Sequence, residues 1–289
     1  MYKQFYGLTR NPFGVSPDPF FFCPTSPHTK ALTALAHGVL QRKGFVVLSG
    51  EVGTGKTLLV RCLLETLIKH RVSFAYMYNP MVSVQEFFTH VISDLGLPPS
   101  QIRTKREALS RLNNYLLWRS RHDLSTALIV DEAQLLSWEV LEEIRLLTNL
   151  ETTQHKLLQI VLVGQPELEE KLDSKQLRQL KQRIGSRYDL KPLDLKELKP
   201  YMQHRLQLAG ANSHGADIFP EETVNFIHKV SRGIPRLVNT ICENSLLLGF
   251  GLEQRQISPE IVHEVAEDLC LEGIAEQPVG MLNESEIRS

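Results

Sequence analysis

From Phe45 to Leu48 the chain is continuously apolar. It then breaks at a glycine-rich run, after which apolar side chains recur at three- and four-residue spacing through Leu58, Leu59, Cys62, Leu63 and Leu67. A short apolar run bounded by a turn predicts a strand buried on both faces, and the spacing that follows predicts a helix with one apolar side. The alternation repeats. Strands are expected at about Val72–Tyr78, Ala127–Val130, Leu158–Val163 and Tyr188–Leu190. Helices are expected at Val84–Leu95, Lys105–Arg121 and Trp138–Leu150, with helical patterning again to about Arg183. Strands of this kind separated by helices predict an α/β fold with a parallel five-stranded sheet covered on both faces. After Pro192 the strand pattern ends, and helices at about Leu195–Leu208, Glu221–Val230, Pro235–Leu248 and Pro259–Cys270 predict a small all-helical domain.

At the other end, Met1 to Phe22 is crowded with aromatic and proline residues, a composition suited to an extended segment packed on a neighbouring surface. A helix over His28–Arg42 follows. The expected division is therefore an amino-terminal segment and helix on the core (1–43), the α/β core (44–192), the helical domain (193–271) and a disordered tail without periodicity (272–289).

Composition narrows the function classes. Lys and Arg number 32 against 33 for Asp and Glu, so the net charge of −1 exerts no bulk pull toward nucleic acid or acidic lipid, and only a local basic face remains. The cysteines Cys23, Cys62, Cys242 and Cys270 form no metal-ligand spacing and are read as reduced thiols. No run approaches the roughly 18 apolar residues of a membrane span, and the first residues lack a secretory leader pattern. The expectation is a soluble cytoplasmic protein without direct membrane insertion.

The break after the first strand carries the sharpest chemistry. Gly50-Glu51-Val52-Gly53-Thr54-Gly55-Lys56-Thr57 has the spacing G-x-x-x-x-G-K-[ST] and lies between a strand and a helix. Glycines let backbone amides curl around phosphate oxygens, and the following helix presents its positive end. Lys56 would neutralise the β- and γ-phosphates and Thr57 would place a hydroxyl on magnesium. Residues Gly50 through Leu58 are thus the expected ATP-binding loop. Ala127-Leu128-Ile129-Val130 ends in Asp131 and Glu132, which in this context are expected to hold the Mg2+ shell and to polarise the attacking water. The next strand ends at Gln165, which could orient water, sense the γ-phosphate or only cap the helix that follows. Arg183 and Arg187 flank the last strand. Either could reach a neighbouring subunit's nucleotide as an arginine finger, or join Lys175, Arg178 and Lys181 in a solvated basic face or phosphate-binding strip. Arg236 follows Pro235 in the first turn of a helix, where a cation is electrostatically misplaced and a nearby phosphate would account for it. His28, His37, His155 and His263 have no partners at catalytic or metal spacing and are read as surface or packing groups, and Trp118 and Trp138, on helical stretches at apolar spacing, as packing groups.

Taken together, these features resemble an AAA+ ATPase with a helical lid. Phe5-Tyr6-Gly7-Leu8, Asn11-Pro12-Phe13, Pro17-Asp18-Pro19, Asp131-Glu132-Ala133-Gln134 and Gly164-Gln165-Pro166-Glu167-Leu168 narrow the resemblance to the ExeA/GspA group of general (type II) secretion ATPases, over about residues 1–270. The resemblance implies that Lys56, Thr57, Asp131 and Glu132 are the Walker A and B residues. It puts Gln165 at the sensor-1 place, where AAA+ proteins commonly carry Asn. Arg236 falls at sensor 2, and Arg183 or Arg187 at the finger. It also implies a homo-oligomer acting as a switch or motor with a protein partner in a secretion or envelope machine, which would recruit it to the inner membrane. Fuller members of the group continue into a membrane span and a peptidoglycan-binding domain. Neither pattern occurs in this sequence, so an envelope role is expected to need a second protein. A TnsC-like transposition ATPase, with DNA as partner along the basic strip, is the alternative.

Overall fold

The structure is a computed structural model describing residues 2–98, 104–211 and 218–271. The expected tail over 272–289 lies outside the described residues. In chain order the elements are α1 (Tyr2–Phe5), α2 (Ser26–Leu40), β1 (Phe45–Gly50), α3 (Lys56–Lys69), β2 (Ser73–Met77), α4 (Val84–Asp94) and α5 (Lys105–Arg121). Then come β3 (Thr126–Val130), α6 (Trp138–Leu147), β4 (Gln159–Val163), α7 (Pro166–Leu172), α8 (Arg178–Lys181) and β5 (Ser186–Leu190). The last four helices are α9 (Leu195–Leu208), α10 (Glu221–Ser231), α11 (Pro235–Gly251) and α12 (Pro259–Asp268). The described residues divide into two compact units, Pro17–Lys191 and a second made of those up to Ser16 together with those from Pro192 onward.

The first unit is the α/β core. Its five strands are all parallel in the order β2-β3-β4-β1-β5. The three central strands are buried along their whole length, while the edge strands β2 and β5 are only partly buried. Alternation along each strand separates two cores. Phe45, Val47, Leu128, Val130, Ile160 and Leu162 point to the side covered by α4 to α8. Val46, Leu48, Ala127, Ile129, Val161 and Val163 point to the side covered by α2 and α3. Fully burying a Leu or Phe side chain is worth about 1.5–3 kcal/mol, so these two layers dominate the unit's stability.

The helix starts are chemically marked. Ser83 with Glu86 and Thr104 with Glu107 form reciprocal capping boxes that fix α4 and α5. The expected helical stretch ending near Arg183 is broken: α7 stops at Leu172, and α8 is a single turn. Trp118 and Trp138, read as packing groups, are instead 52% and 42% exposed. The first rests on His122 with ring centroids 4.6 Å apart, and the second lies under the Lys171 ammonium.

The second unit gathers α9 to α12 and, unlike the expected 1–43 segment on the core, the first 16 residues. Arg205, 4% exposed on α9, explains the arrangement. Its guanidinium donates to the carbonyls of Pro12 (2.6 Å) and Gly14 (3.3 Å) and to the Tyr201 hydroxyl (3.1 Å). Glu243 on α11 accepts from Tyr2 and Asn11, at 2.8 and 2.9 Å. Phe13 is buried edge-on against Phe219. From Pro17 the chain belongs to the core, where Arg61 of α3 donates to the Pro17 carbonyl at 2.7 Å.

Candidate nucleotide site

Because β3, β4 and β1 are neighbours, the residues that follow them emerge along one edge of the sheet. The carboxyl ends of parallel strands, where the strand order doubles back, are where such sheets bind ligands. The loop Gly50–Thr57, the pair Asp131–Glu132 and the dipeptide Gly164–Gln165 all lie there.

The loop after β1 needs its glycines. Gly55 has φ +103°, and a side chain there would also place its Cβ 3.1 Å from His28 Nε2. α3 then starts at Lys56, so its unpaired amides face the loop. Lys56 is 6% exposed, and its ammonium donates to the carbonyls of Gly50 (2.8 Å) and Glu51 (2.9 Å). Burial lowers its pKa, against the opposing pull of Glu132, Asp131, Glu51 and Glu167.

Thr57 Oγ1 donates to Asp131 Oδ2 at 3.1 Å, and Asp131 Oδ1 accepts the Glu132 amide at 2.9 Å. Asp131 is 3% exposed, and burial raises its pKa against those two hydrogen bonds. A half-buried hydroxyl beside a buried carboxylate fits a magnesium ion, which takes few protein ligands and draws the rest from water and substrate phosphates. Among the described residues there is no group of three or more His, Cys, Asp or Glu that would form an all-protein metal cage.

Glu132 sits at φ +52°, a left-handed conformation that costs a non-glycine residue about 1–2 kcal/mol. Two amides fix its carboxylate. Gln134 Nε2 donates to Oε2 at 2.6 Å and Gln165 Nε2 to the same oxygen at 3.1 Å. Gln134 Oε1 in turn accepts the Gln165 backbone amide at 3.1 Å, and Lys171 donates to the Gln134 carbonyl. Gly164 lets this network close, since a Cβ there would meet Gln134 Oε1 at 2.8 Å. The Gln165 side chain thus touches Glu132 and makes no side-chain cap on α7. Gln134 received no role from the sequence. Its signals were its place two residues beyond the acidic pair and its presence in the run Asp131-Glu132-Ala133-Gln134 that carries the resemblance.

The two finger candidates differ. Arg187 on β5 is tied to Glu169 and, at 3.1 Å, to Asp173 of its own chain. Arg183, in the loop before β5, is half-buried, and its side chain makes no hydrogen bond or ion pair among the described residues. Lys181 pairs with Asp173 at 2.9 Å, so two cations of the expected basic strip are neutralised locally. Arg236 is exposed in the first turn of α11, in the helical unit.

A loop of this shape between strand and helix, an acidic pair on the neighbouring strand end and a polar residue on the strand between them define a P-loop nucleotide-binding domain. Residues 39–172 match the family profile of the AAA domain, and the chain carries an AAA domain. It is homologous to General secretion pathway protein A of Aeromonas hydrophila, with 40% identity over 257 residues. That match covers 89% of this chain and 46% of the relative, so the chain spans about half of that protein's length. Among solved structures, Aeropyrum pernix ORC2 in its ADPNP-ADP complexes superposes with a TM-score of 0.60 at 17% identity, over 86% of this chain and 71% of that one. The Thermotoga maritima RuvB Holliday junction branch migration motor superposes with a TM-score of 0.53 at 22% identity, over 84% and 68%. These two likenesses concern the fold alone. Among the described residues, no helix is long and apolar enough to cross a membrane.

Proposed function

We propose that the core unit binds ATP with magnesium and hydrolyses it, and that the cycle works an oligomeric switch in a secretion or cell-envelope system. The observation that carries the hydrolytic part is the Glu132 carboxylate held by Gln134 and Gln165 beside the Thr57–Asp131 pair. A carboxylate fixed by two donors can take a proton from water in one orientation without first reorganising. The loop amides and Lys56 would bind the phosphates. Magnesium, when held by Thr57 and Asp131, would neutralise charge on the phosphate oxygens.

Arg183 is the stronger finger candidate, because moving Arg187 toward a second subunit would break its bonds to Glu169 and Asp173. The secretion role and its protein partner rest on the relative's name. The DNA-binding alternative loses support, since Asp173 occupies Lys181 and Arg187 of the strip it would use.

Replacing Glu132 by Gln tests the reading: triphosphate binding should persist while phosphate release stops. Parent-like turnover by that variant would contradict the role given to Glu132. For the finger, a mixture of Arg183→Ala and Glu132→Gln subunits should regain part of the parent rate. A mixture as inactive as its components would argue against a site shared between subunits.

A further inference from the structure

We propose that His28 is a positioning residue for the nucleotide loop, holding it from behind through the Thr54 carbonyl. This rests on the reading that the loop binds a nucleoside triphosphate.

His28 lies in the first turn of α2, yet it is 6% exposed and buried against the loop. Its Nε2 is 2.9 Å from the Thr54 carbonyl oxygen, and its Nδ1 is 2.7 Å from Thr25 Oγ1. A carbonyl can only accept, so Nε2 carries the proton; the neutral ring then accepts from the Thr25 hydroxyl at Nδ1. The tautomer is thereby set by the Thr54 carbonyl, and Thr25 satisfies the other ring nitrogen. That hydroxyl sits at the N-cap of α2, where it would ordinarily accept a helix amide, and it makes no such bond. A local helix signal is forgone in favour of a contact with a loop 26 residues further along the chain.

The contact falls where the loop geometry is most demanding. Thr54 is fully buried, and its own hydroxyl donates to the Glu51 carbonyl at 2.8 Å. Gly55 follows at φ +103°, pressed against the imidazole, and Lys56 then begins α3. For loop amides to face phosphate, the carbonyls must face away from it and find partners there. The imidazole supplies that partner at Thr54 and sterically limits the loop at Gly55. Removing it leaves a buried carbonyl unpaired and opens space behind the glycine, so the amides of Gly55 and Lys56 lose their fixed direction.

The test is equilibrium binding of a fluorescent ATP analogue with magnesium to the full chain and to His28→Ala, His28→Gln and His28→Asn. His28→Ala should bind about tenfold more weakly, equivalent to 1.4 kcal/mol. Gln places an amide N–H near the position of Nε2 and should restore affinity to within about threefold of the parent. Asn reproduces only the Nδ1 side, does not reach Thr54, and should bind as His28→Ala does. Parent-like affinity in His28→Ala, or a Gln variant no better than Asn, overturns the proposal. Should His28→Ala not fold, the Gln and Asn variants decide alone. A parent that binds no analogue refutes the nucleotide reading itself, a separate failure that takes this inference with it.

Discussion

Replacing Gln134 by Ala removes the shorter of the two donors to Glu132 Oε2, at 2.6 Å, and also strips the Gln165 backbone amide of its acceptor. A hydrogen bond to a charged group contributes about 1.5–3 kcal/mol, and the half-exposed setting argues for the lower part of that range. If the bond serves to orient the carboxylate for water activation, a loss of about 1.5–2 kcal/mol lowers the chemical step about 10- to 30-fold. Gln134 bonds no residue of the phosphate loop, so triphosphate affinity should stay within about twofold. Gln165→Ala removes the longer bond, 3.1 Å, and should cost less. The double variant should lose less than the sum of the two, because Gln134 already holds the backbone from which Gln165 reaches Glu132. Phosphate release under saturating ATP gives the rate, and titration with a fluorescent analogue gives the affinity. Parent-like turnover by Gln134→Ala would refute the orienting role, and so would a defect confined to affinity.

Other consequences can be measured independently. Lys56→Ala should abolish triphosphate binding in the same titration, and retained affinity would remove the lysine from the site. Arg205→Ala leaves the Pro12 and Gly14 carbonyls without their donor and should destabilise the helical unit by about 1–3 kcal/mol for each carbonyl left buried and unpaired. An unchanged urea midpoint for the helical unit, followed by far-ultraviolet circular dichroism, would contradict that packing. For the thiols, burial with Glu65 nearby pushes Cys62 up to about 11, and burial raises Cys242 further. The thiolate is the reactive form, and a raised pKa shrinks its population at neutral pH. A thiol reagent at pH 7.5 should therefore modify Cys270, which is exposed, and spare Cys62 and Cys242 until denaturant is added. Rapid native labelling of either buried cysteine would contradict the burial described.

Much of the core was legible because its signals are local. Phe45–Leu48 and Ala127–Val130 are uninterrupted apolar runs, as strands buried on both faces must be, and the phosphate loop is one contiguous motif. β5 begins at Ser186, two residues before the expected Tyr188. As an edge strand it pairs only with β1, and its polar Ser186 and Arg187 are tolerated where one side is open. What escaped the sequence depends on contacts distant along the chain. His28 reads as an isolated histidine until α2 folds against the loop and brings Thr54 to it. Arg187 reads as a free cation until α7 places Glu169 and Asp173 beside it. The first 16 residues carry aromatic groups that announce packing but not its partner. The partner is set by Arg205 and Glu243, about 200 residues or more away.

The most direct measurement is calorimetric titration of the purified chain with ATP, in magnesium and again in excess EDTA, with Glu132→Gln run alongside the parent. The account predicts micromolar or tighter binding in magnesium (about −8 kcal/mol or better), marked weakening without it, and retained binding by Glu132→Gln with no phosphate released. A parent chain that shows no magnesium-dependent affinity for ATP would contradict it.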